Sequence, residues 1–290
     1  MRIVFAGTAA FAQPSLRSLV QAGHDVALVI TQPDRIGGRG MKPLVSAVKT
    51  LAAELRLPVF QPERIRDETA QDRIRAVGAD IAVVVAYGQI LPASLLEAPR
   101  LGTLNVHASL LPRHRGPAPI EWTILSGDPE TGVTIMQMDA GVDTGPILTQ
   151  ERVAIAADES AGRLEGMLAT VGGRLLVRSL EDYAAGRIRP MPQPAEGATR
   201  APRLTSEDGK LDPATMSAEE MDRRVRALGE RIGTWITLKG VDLKVFRGHA
   251  DGEIGGGVPV ATANGVYVVD EVQPPGGRRM SAAAWLRGRR

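Results

Sequence analysis

The first half of the chain alternates short apolar runs with stretches of helical spacing. Arg2 to Ala6, Val26 to Thr31, Val59-Phe60, Ile81 to Ala86 and Leu104 to His107 read as strands. Between them, Ala12 to Ala22, Val45 to Arg56 and Asp67 to Val77 repeat apolar residues three and four apart, as helices do. The strand runs lack polar alternation, so both faces of the sheet are expected to be covered by helices, with most strands parallel. The expected fold class is α/β, a Rossmann-like doubly wound sheet.

From Ser160 to about Ala185, the residues Leu164, Met167, Leu168, Val171, Leu175, Leu176 and Leu180 keep helical spacing. They predict one long amphipathic helix with these residues in the core, closing the sheet. Ile188 to Gly197 carries Pro190, Pro192 and Pro194, which exclude helix and central strand, so it reads as a semi-rigid linker. The expected organisation is a first domain over 1–189, a linker over 190–204 and a second domain over 205–290. In the second domain, Ser217-Ala218-Glu219-Glu220 resembles a capping box opening a helix to about Leu228. Strand-like runs at Thr234 to Leu238, Val241 to Phe246, Val258 to Ala263 and Val266 to Val272 follow, which suits a small β-barrel.

A length of 290 residues with 43% hydrophobic positions is comfortable for two ordinary cores. No apolar run approaches the roughly 18 residues of a membrane span, and the amino terminus runs straight into a strand, so no membrane association is expected. Cysteine is absent, which removes disulfides, thiolate nucleophiles and cysteine-ligated metals and fits a cytoplasmic protein. The formal net charge of +2 is a weak argument for a polyanionic partner. The arginines are nevertheless clustered, at Arg35/Arg39 beside Lys42, at Arg113/Arg115, from Arg187 to Arg203, from Arg223 to Arg231 and at the carboxyl end, and together they suit phosphate contacts. The first turn, Ala6-Gly7-Thr8-Ala9-Ala10, has one glycine where the dinucleotide fingerprint needs three, and no Walker pattern is present.

The chemistry concentrates around residue 105. On the strand ending at His107, Asn105 and His107 are two residues apart and so share a face, while Leu104 and Val106 point the other way. Ser109-Leu110-Leu111-Pro112 then breaks regular pairing, leaving the polar pair at a strand's carboxyl end, where open α/β sheets bind ligands. Of the four histidines, His24 and His114 sit in readily solvated turns and His249 is remote, so His107 is the candidate imidazole. After the apolar strand Val133 to Met138, the turn Asp139 to Pro146 is tightened by Gly141 and Gly145 and holds Asp143 in a fixed orientation. Asp139 has an equally good alternative in bonding its own turn.

The segment Asn-x-His-x-Ser-Leu-Leu-Pro at 105 to 112, with Asp143 in its turn, resembles the core of the formyltransferases that use 10-formyltetrahydrofolate. Arg2 to Thr8, Thr31 to Arg35 leading into Gly38 to Lys42, Val83 to Gly88 and Glu130 to Asp139 narrow the resemblance to the methionyl-tRNA formyltransferases. It is dense to about residue 150 and thinner beyond, with Pro275 to Ala282 similar to the family's closing segment. The chain departs from the family's pattern at Ala9 and Ala108, and lacks an asparagine-proline segment within 226–235.

The resemblance implies a catalytic set of Asn105, His107 and Asp143 and no metal. Asn105 and His107 would stabilise the developing oxyanion, and Asp143 would pair with His107 and relay protons through water. The folate pocket would be lined by Ser109, Leu110, Leu111 and Pro112 on one side and by Tyr87, Gly88 and Ile90 opposite, with Asp139 nearby. Arg35, Arg39 and Lys42, in a flexible basic loop over Gln32 to Pro43, would meet the acceptor stem of an aminoacylated initiator tRNA. The second domain is expected to be an oligonucleotide-binding-like (OB-like) barrel that helps hold the tRNA, and the protein is expected to be a monomer. The rival reading is folate-dependent formylation of a small amine, such as an amino sugar nucleotide or glycinamide ribonucleotide.

Overall fold

A computed structural model describes residues 1–37, 42–250 and 255–288. The chain divides into two compact units. The first comprises Met1–Gly116, Glu130–Ala154 and Glu165–Arg200, and the second Pro117–Pro129, Ile155–Leu164 and Ala201–Arg290.

The first unit is built on β1 (Arg2–Gly7), α1 (Gln13–Gln21), β2 (Asp25–Ile30), a small hairpin of β3 (Arg35–Gly37) and β4 (Lys42–Leu44), α2 (Ala47–Glu54), β5 (Val59–Phe60), α3 (Glu68–Arg75), β6 (Ile81–Val85), α4 (Ala93–Leu96) and β7 (Thr103–His107). Helix α5 (Pro119–Leu125) belongs to the second unit, after which β8 (Glu130–Gln137), β9 (Ile147–Ala154) and most of α6 (Ala161–Ala184) return to the first. Seven strands form one sheet in the order β5-β2-β1-β6-β7-β8-β9. The five from β5 to β7 are parallel, and β8 and β9 are antiparallel additions. The Rossmann-like expectation holds, and the apolar runs that suggested it lie in the core: every residue of β6 and β7 is buried.

Local signals account for several boundaries. The Ser46 hydroxyl accepts from the Lys49 amide and so caps α2. Glu68 opens α3 and Arg73 and Arg75 close it, complementing the helix dipole. Helix α6 packs against the Val106 side of the sheet by presenting glycine. A Cβ on Gly172 would lie 2.9 Å from a Val106 methyl, and one on Gly173 2.8 Å from the Pro14 carbonyl. The other face of β7 is thereby left to Asn105 and His107. Met167, expected in the core, is 39% exposed, because it falls outside the stripe that faces the sheet.

The stretch 32–43, expected as a flexible loop, contains the β3/β4 hairpin, with Arg35 opposite Leu44 and Gly37 opposite Lys42. Residues 188–197, expected as a semi-rigid linker, are tied down by backbone bonds. Met191 exchanges both backbone bonds with Ile147 at 2.8 Å, and Thr199 bonds the Pro112 carbonyl, which fastens this stretch to the sheet unit. Its prolines bar it from a central strand without barring it from an edge.

The second unit places α7 (Ala218–Leu228) against α5 and against a curled antiparallel sheet of β10 (Thr234–Leu238), β11 (Val241–His249), β12 (Val258–Ala261), β13 (Val266–Gln273) and the short β14 (Met280–Ser281), with α8 (Ala282–Arg287) at the end. The expected capping box is present, with Ser217 and Glu220 bonding each other's backbone amides. Met221, Val225, Ile236, Leu243, Tyr267 and Trp285 are among the residues that form its core.

Candidate active site

Asn105 and His107 project from the last residues of β7, 8% and 6% exposed respectively. Asp143 reaches them by an indirect route. The chain leaves β8 beside the start of β7, where the Met138 amide bonds the Thr103 carbonyl at 2.8 Å, and then folds back towards the end of β7 before entering β9. One Asp143 oxygen lies 3.7 Å from His107 Nδ1 and accepts the Gly116 amide at 2.9 Å. The other accepts Asn105 Nδ2 at 3.4 Å. Asp143 has a φ of 52°, in the left-handed region. The turn depends on glycine next to it, since a Cβ on Gly145 would lie 1.9 Å from the Gln137 carbonyl oxygen.

His107 Nε2 lies 3.0 Å from the His114 carbonyl. A carbonyl can only accept, so Nε2 carries a proton in this geometry and Nδ1 is the nitrogen that addresses Asp143. His114, expected in a solvated turn, is 3% exposed. The reason is tertiary: its amide bonds Thr199 Oγ1 at 2.8 Å and its carbonyl holds His107, so the turn folds inward.

The segment Ser109 to Pro112, expected to wall the folate pocket, is held more tightly than its sequence suggested. Ser109 is fully buried and donates to the Arg113 carbonyl, and Leu111 is 3% exposed. Leu110 and Pro112 are partly accessible, Leu110 packing close to Gly132 of β8. The Leu111–Pro112 peptide is cis. Thr134, opposite His107 in the register, donates to the Ser109 carbonyl and accepts the Leu111 amide, and Gln150 bonds both Thr134 and the Leu111 carbonyl. Neither Thr134 nor Gln150 was singled out from sequence, because a polar residue in a strand carries no local sign of which loop it will hold.

Beyond β6, Tyr87 is buried and burial pushes its phenol up to about 12. Its hydroxyl has no partner among the described residues, whereas its carbonyl accepts Thr8 Oγ1 and Gln32 Nε2. Gly88 is exposed, and Ile90 is 80% exposed. Asp139 bonds the Gly141 amide and the Thr144 hydroxyl, so it serves its own turn. Arg35 is exposed on β3, Lys42 opens β4, and Arg39 lies outside the described residues. A cavity of about 340 Å³ opens elsewhere on the sheet, between α3, α4 and strands β1 and β6, and none of the three polar residues lines it. Among the described residues no cluster of three metal-ligating side chains occurs, and no helix is long and apolar enough to cross a membrane.

Comparison with known proteins supplies the family. Residues 1–180 match the model of the formyl transferase domain, and residues 203–290 match that of the formyl transferase C-terminal domain. The chain belongs to the methionyl-tRNA formyltransferase family. It is 47% identical to the methionyl-tRNA formyltransferase of Halorhodospira halophila, over all of this chain and 96% of that one. It is 45% identical to that of Thiobacillus denitrificans, over all of this chain and 97% of its relative. Two solved structures share the fold at low identity. An N-formyltransferase from Helicobacter canadensis, in complex with folinic acid and dTDP-3-aminofucose, has a TM-score of 0.67 at 17% identity, over 96% of this chain and 99% of that one. HypX from Aquifex aeolicus, in complex with tetrahydrofolic acid, has a TM-score of 0.66 at 17% identity, over 99% of this chain and 47% of its own.

Proposed function

We propose that the chain transfers the formyl group of 10-formyltetrahydrofolate to the free amino group of methionyl initiator tRNA. The observation that carries the chemistry is the convergence of an amide, an imidazole and a carboxylate at the end of β7. The substrate follows the relatives, which match over 96% and 97% of their length under that name.

The methionyl nitrogen attacks the formyl carbon, the carbonyl oxygen becomes an oxyanion, and the bond to the folate nitrogen then breaks. The attacking nitrogen must lose a proton and the departing folate nitrogen must gain one. Asn105 Nδ2 and His107 would donate to the oxyanion, and preorganised donors of this kind are commonly worth about 3 to 4 kcal/mol each. With Nε2 engaged by the His114 carbonyl, His107 would donate through Nδ1, on the side of Asp143, in the form that carries a proton on both ring nitrogens. The 3.7 Å between that nitrogen and the carboxylate exceeds a direct hydrogen bond, so both would address a water or the substrate amine lying beside them. Asp143 would accept the proton of the amine and return it to the leaving nitrogen.

The folate would lie against Leu110 and Pro112 on one side and the Gly88 to Ile90 stretch on the other, where accessible apolar surface is present. Arg35, Arg39 and Lys42 would approach the acceptor stem, and the second unit would add affinity for the rest of the tRNA. We put the domain boundary in the stretch 190–204, a reading supported by the gap of residues 181–202 that neither family match covers.

The decisive experiment is a formylation assay with labelled 10-formyltetrahydrofolate. Methionyl initiator tRNA, an amino sugar nucleotide and glycinamide ribonucleotide would be offered in parallel. Turnover is expected with the tRNA; turnover with a small amine and none with tRNA would overturn the substrate assignment while leaving the chemistry standing.

A further inference from the structure

Asp143 is held in the left-handed region, which side chains other than glycine rarely adopt, and its carboxylate must still point at the imidazole. Something must keep the turn in place. The Gln193 side-chain nitrogen donates to the Asp143 carbonyl at 2.8 Å and to the Gly145 carbonyl at 2.7 Å, spanning the turn on both sides of Thr144. Its oxygen accepts two bonds from the Arg115 guanidinium, at 2.9 and 2.6 Å. Arginine only donates and a carbonyl only accepts, so the amide has one orientation that satisfies all four bonds. Gly116, the next residue after Arg115, donates its amide to the Asp143 carboxylate. The backbone and the carboxylate of Asp143 are thus gripped from the same corner.

We infer that Gln193 is a positioning residue that fixes the orientation of Asp143, with Arg115 orienting its amide. Gln193 lies in residues 181–202, which neither family match covers, and in a proline-rich stretch whose sequence suggests a linker. The inference rests on Asp143 being the proton relay, and the test separates the two.

Gln193→Glu keeps the size of the side chain and strengthens its hold on Arg115, but turns an oxygen toward two carbonyls in place of a donor. Gln193→Ala removes every bond. Steady-state formylation of methionyl-tRNA by the full chain would be measured well below each variant's melting temperature, with Asp143→Asn and the Asp143→Asn/Gln193→Glu double variant alongside. Misplacing a reacting group by about 1 Å can cost on the order of 10²-fold, so kcat should fall by about 10- to 100-fold in both single variants. KM for folate and for tRNA should stay within about threefold, because all four side-chain bonds of Gln193 go to Arg115, Asp143 and Gly145 and a positioning role needs no contact with substrate. The double variant should be no slower than Asp143→Asn alone, since a displaced Asp143 and an absent one leave the same deficit.

The inference falls if either Gln193 variant keeps kcat within about twofold of the parent while Asp143→Asn is inactive. It also falls if the two losses multiply, or if only the melting temperature changes. If Asp143→Asn itself retains full turnover, the catalytic reading has failed and Gln193 has nothing to position.

Discussion

Asp143 and Arg35 lie in the same sheet unit, in two segments that both leave a strand of the main sheet, and the segments are held in opposite ways. The turn carrying Asp143 is fastened from three separate stretches, by Asn105, Gly116 and Gln193. The β3/β4 hairpin is held by three paired positions and by Asp34, which bonds Lys49 and Gln61 at its base, while Ile36, Leu44 and Val45 stand exposed. A site that places a proton within a fraction of an ångström needs the first construction. A segment that meets a polyanion through charge tolerates the second, because electrostatic attraction falls off slowly with distance and needs no single geometry. The contrast predicts steep, geometric failure at the site and graded, salt-sensitive failure at the hairpin.

The largest expected effect is at the site. His107→Ala or Asp143→Ala should lower kcat by at least about 10²- to 10³-fold while folate binding, followed by equilibrium titration, survives. Turnover near that of the parent in either variant would erase the distinction between the two segments. Next comes the scaffold beneath the site. Thr134→Val preserves shape but strands the Ser109 carbonyl and the Leu111 amide, and should cost about 1 to 3 kcal/mol in urea denaturation. An unchanged midpoint would mean that water replaces the hydroxyl and that the segment is less dry than its burial indicates.

In the basic stretch from Arg35 to Lys42, changing Arg39 and Lys42 together to Ala should weaken tRNA binding on the order of tenfold. The slope of log affinity against log salt should become shallower by about 1 for each phosphate that the variant leaves unneutralised. Folate affinity should stay put. An unchanged salt slope with normal tRNA formylation would make the hairpin ordinary surface and remove one side of the comparison. The smallest effect concerns Tyr87. Its phenol is raised from about 10 to about 12, so folding disfavours the ionised form; stability is unaffected below about pH 10 and falls as pH rises from there towards the folded value. Tyr87→Phe should flatten that alkaline decline in thermal melts, because it removes the ionisable group, and at little cost at neutral pH because the hydroxyl has no partner among the described residues.

Much of the fold was legible in the chain because it is written in local periodicity. The apolar runs at Arg2 to Ala6 and Ile81 to Ala86, the stripe along Leu164 to Leu180 and the capping box at Ser217 each became the element they predicted. Strand β9 escaped because its apolar residues stand only at its two ends, around the polar run Thr149 to Arg152 at a sheet edge, and the β3/β4 hairpin because glycine and arginine masked its pairing. At the site, Asn105 and His107 could be placed on one face from spacing alone. His114 could not be placed, since its burial depends on Thr199 and on His107 itself.

What the sequence determined by itself was therefore most of the elements, the family and the pair of side chains sharing the end of β7, all of which follow from order along the chain. Only the tertiary structure decided that the turn after β8 doubles back to bring Asp143 to that pair, that a proline-rich stretch is fastened beside the site, and that Gln193 and Thr134 hold its parts in place. The physical reason is that periodicity reports which face of an element is apolar. The partners of a polar group are chosen by whichever distant backbone donors and acceptors the packed core leaves unpaired nearby.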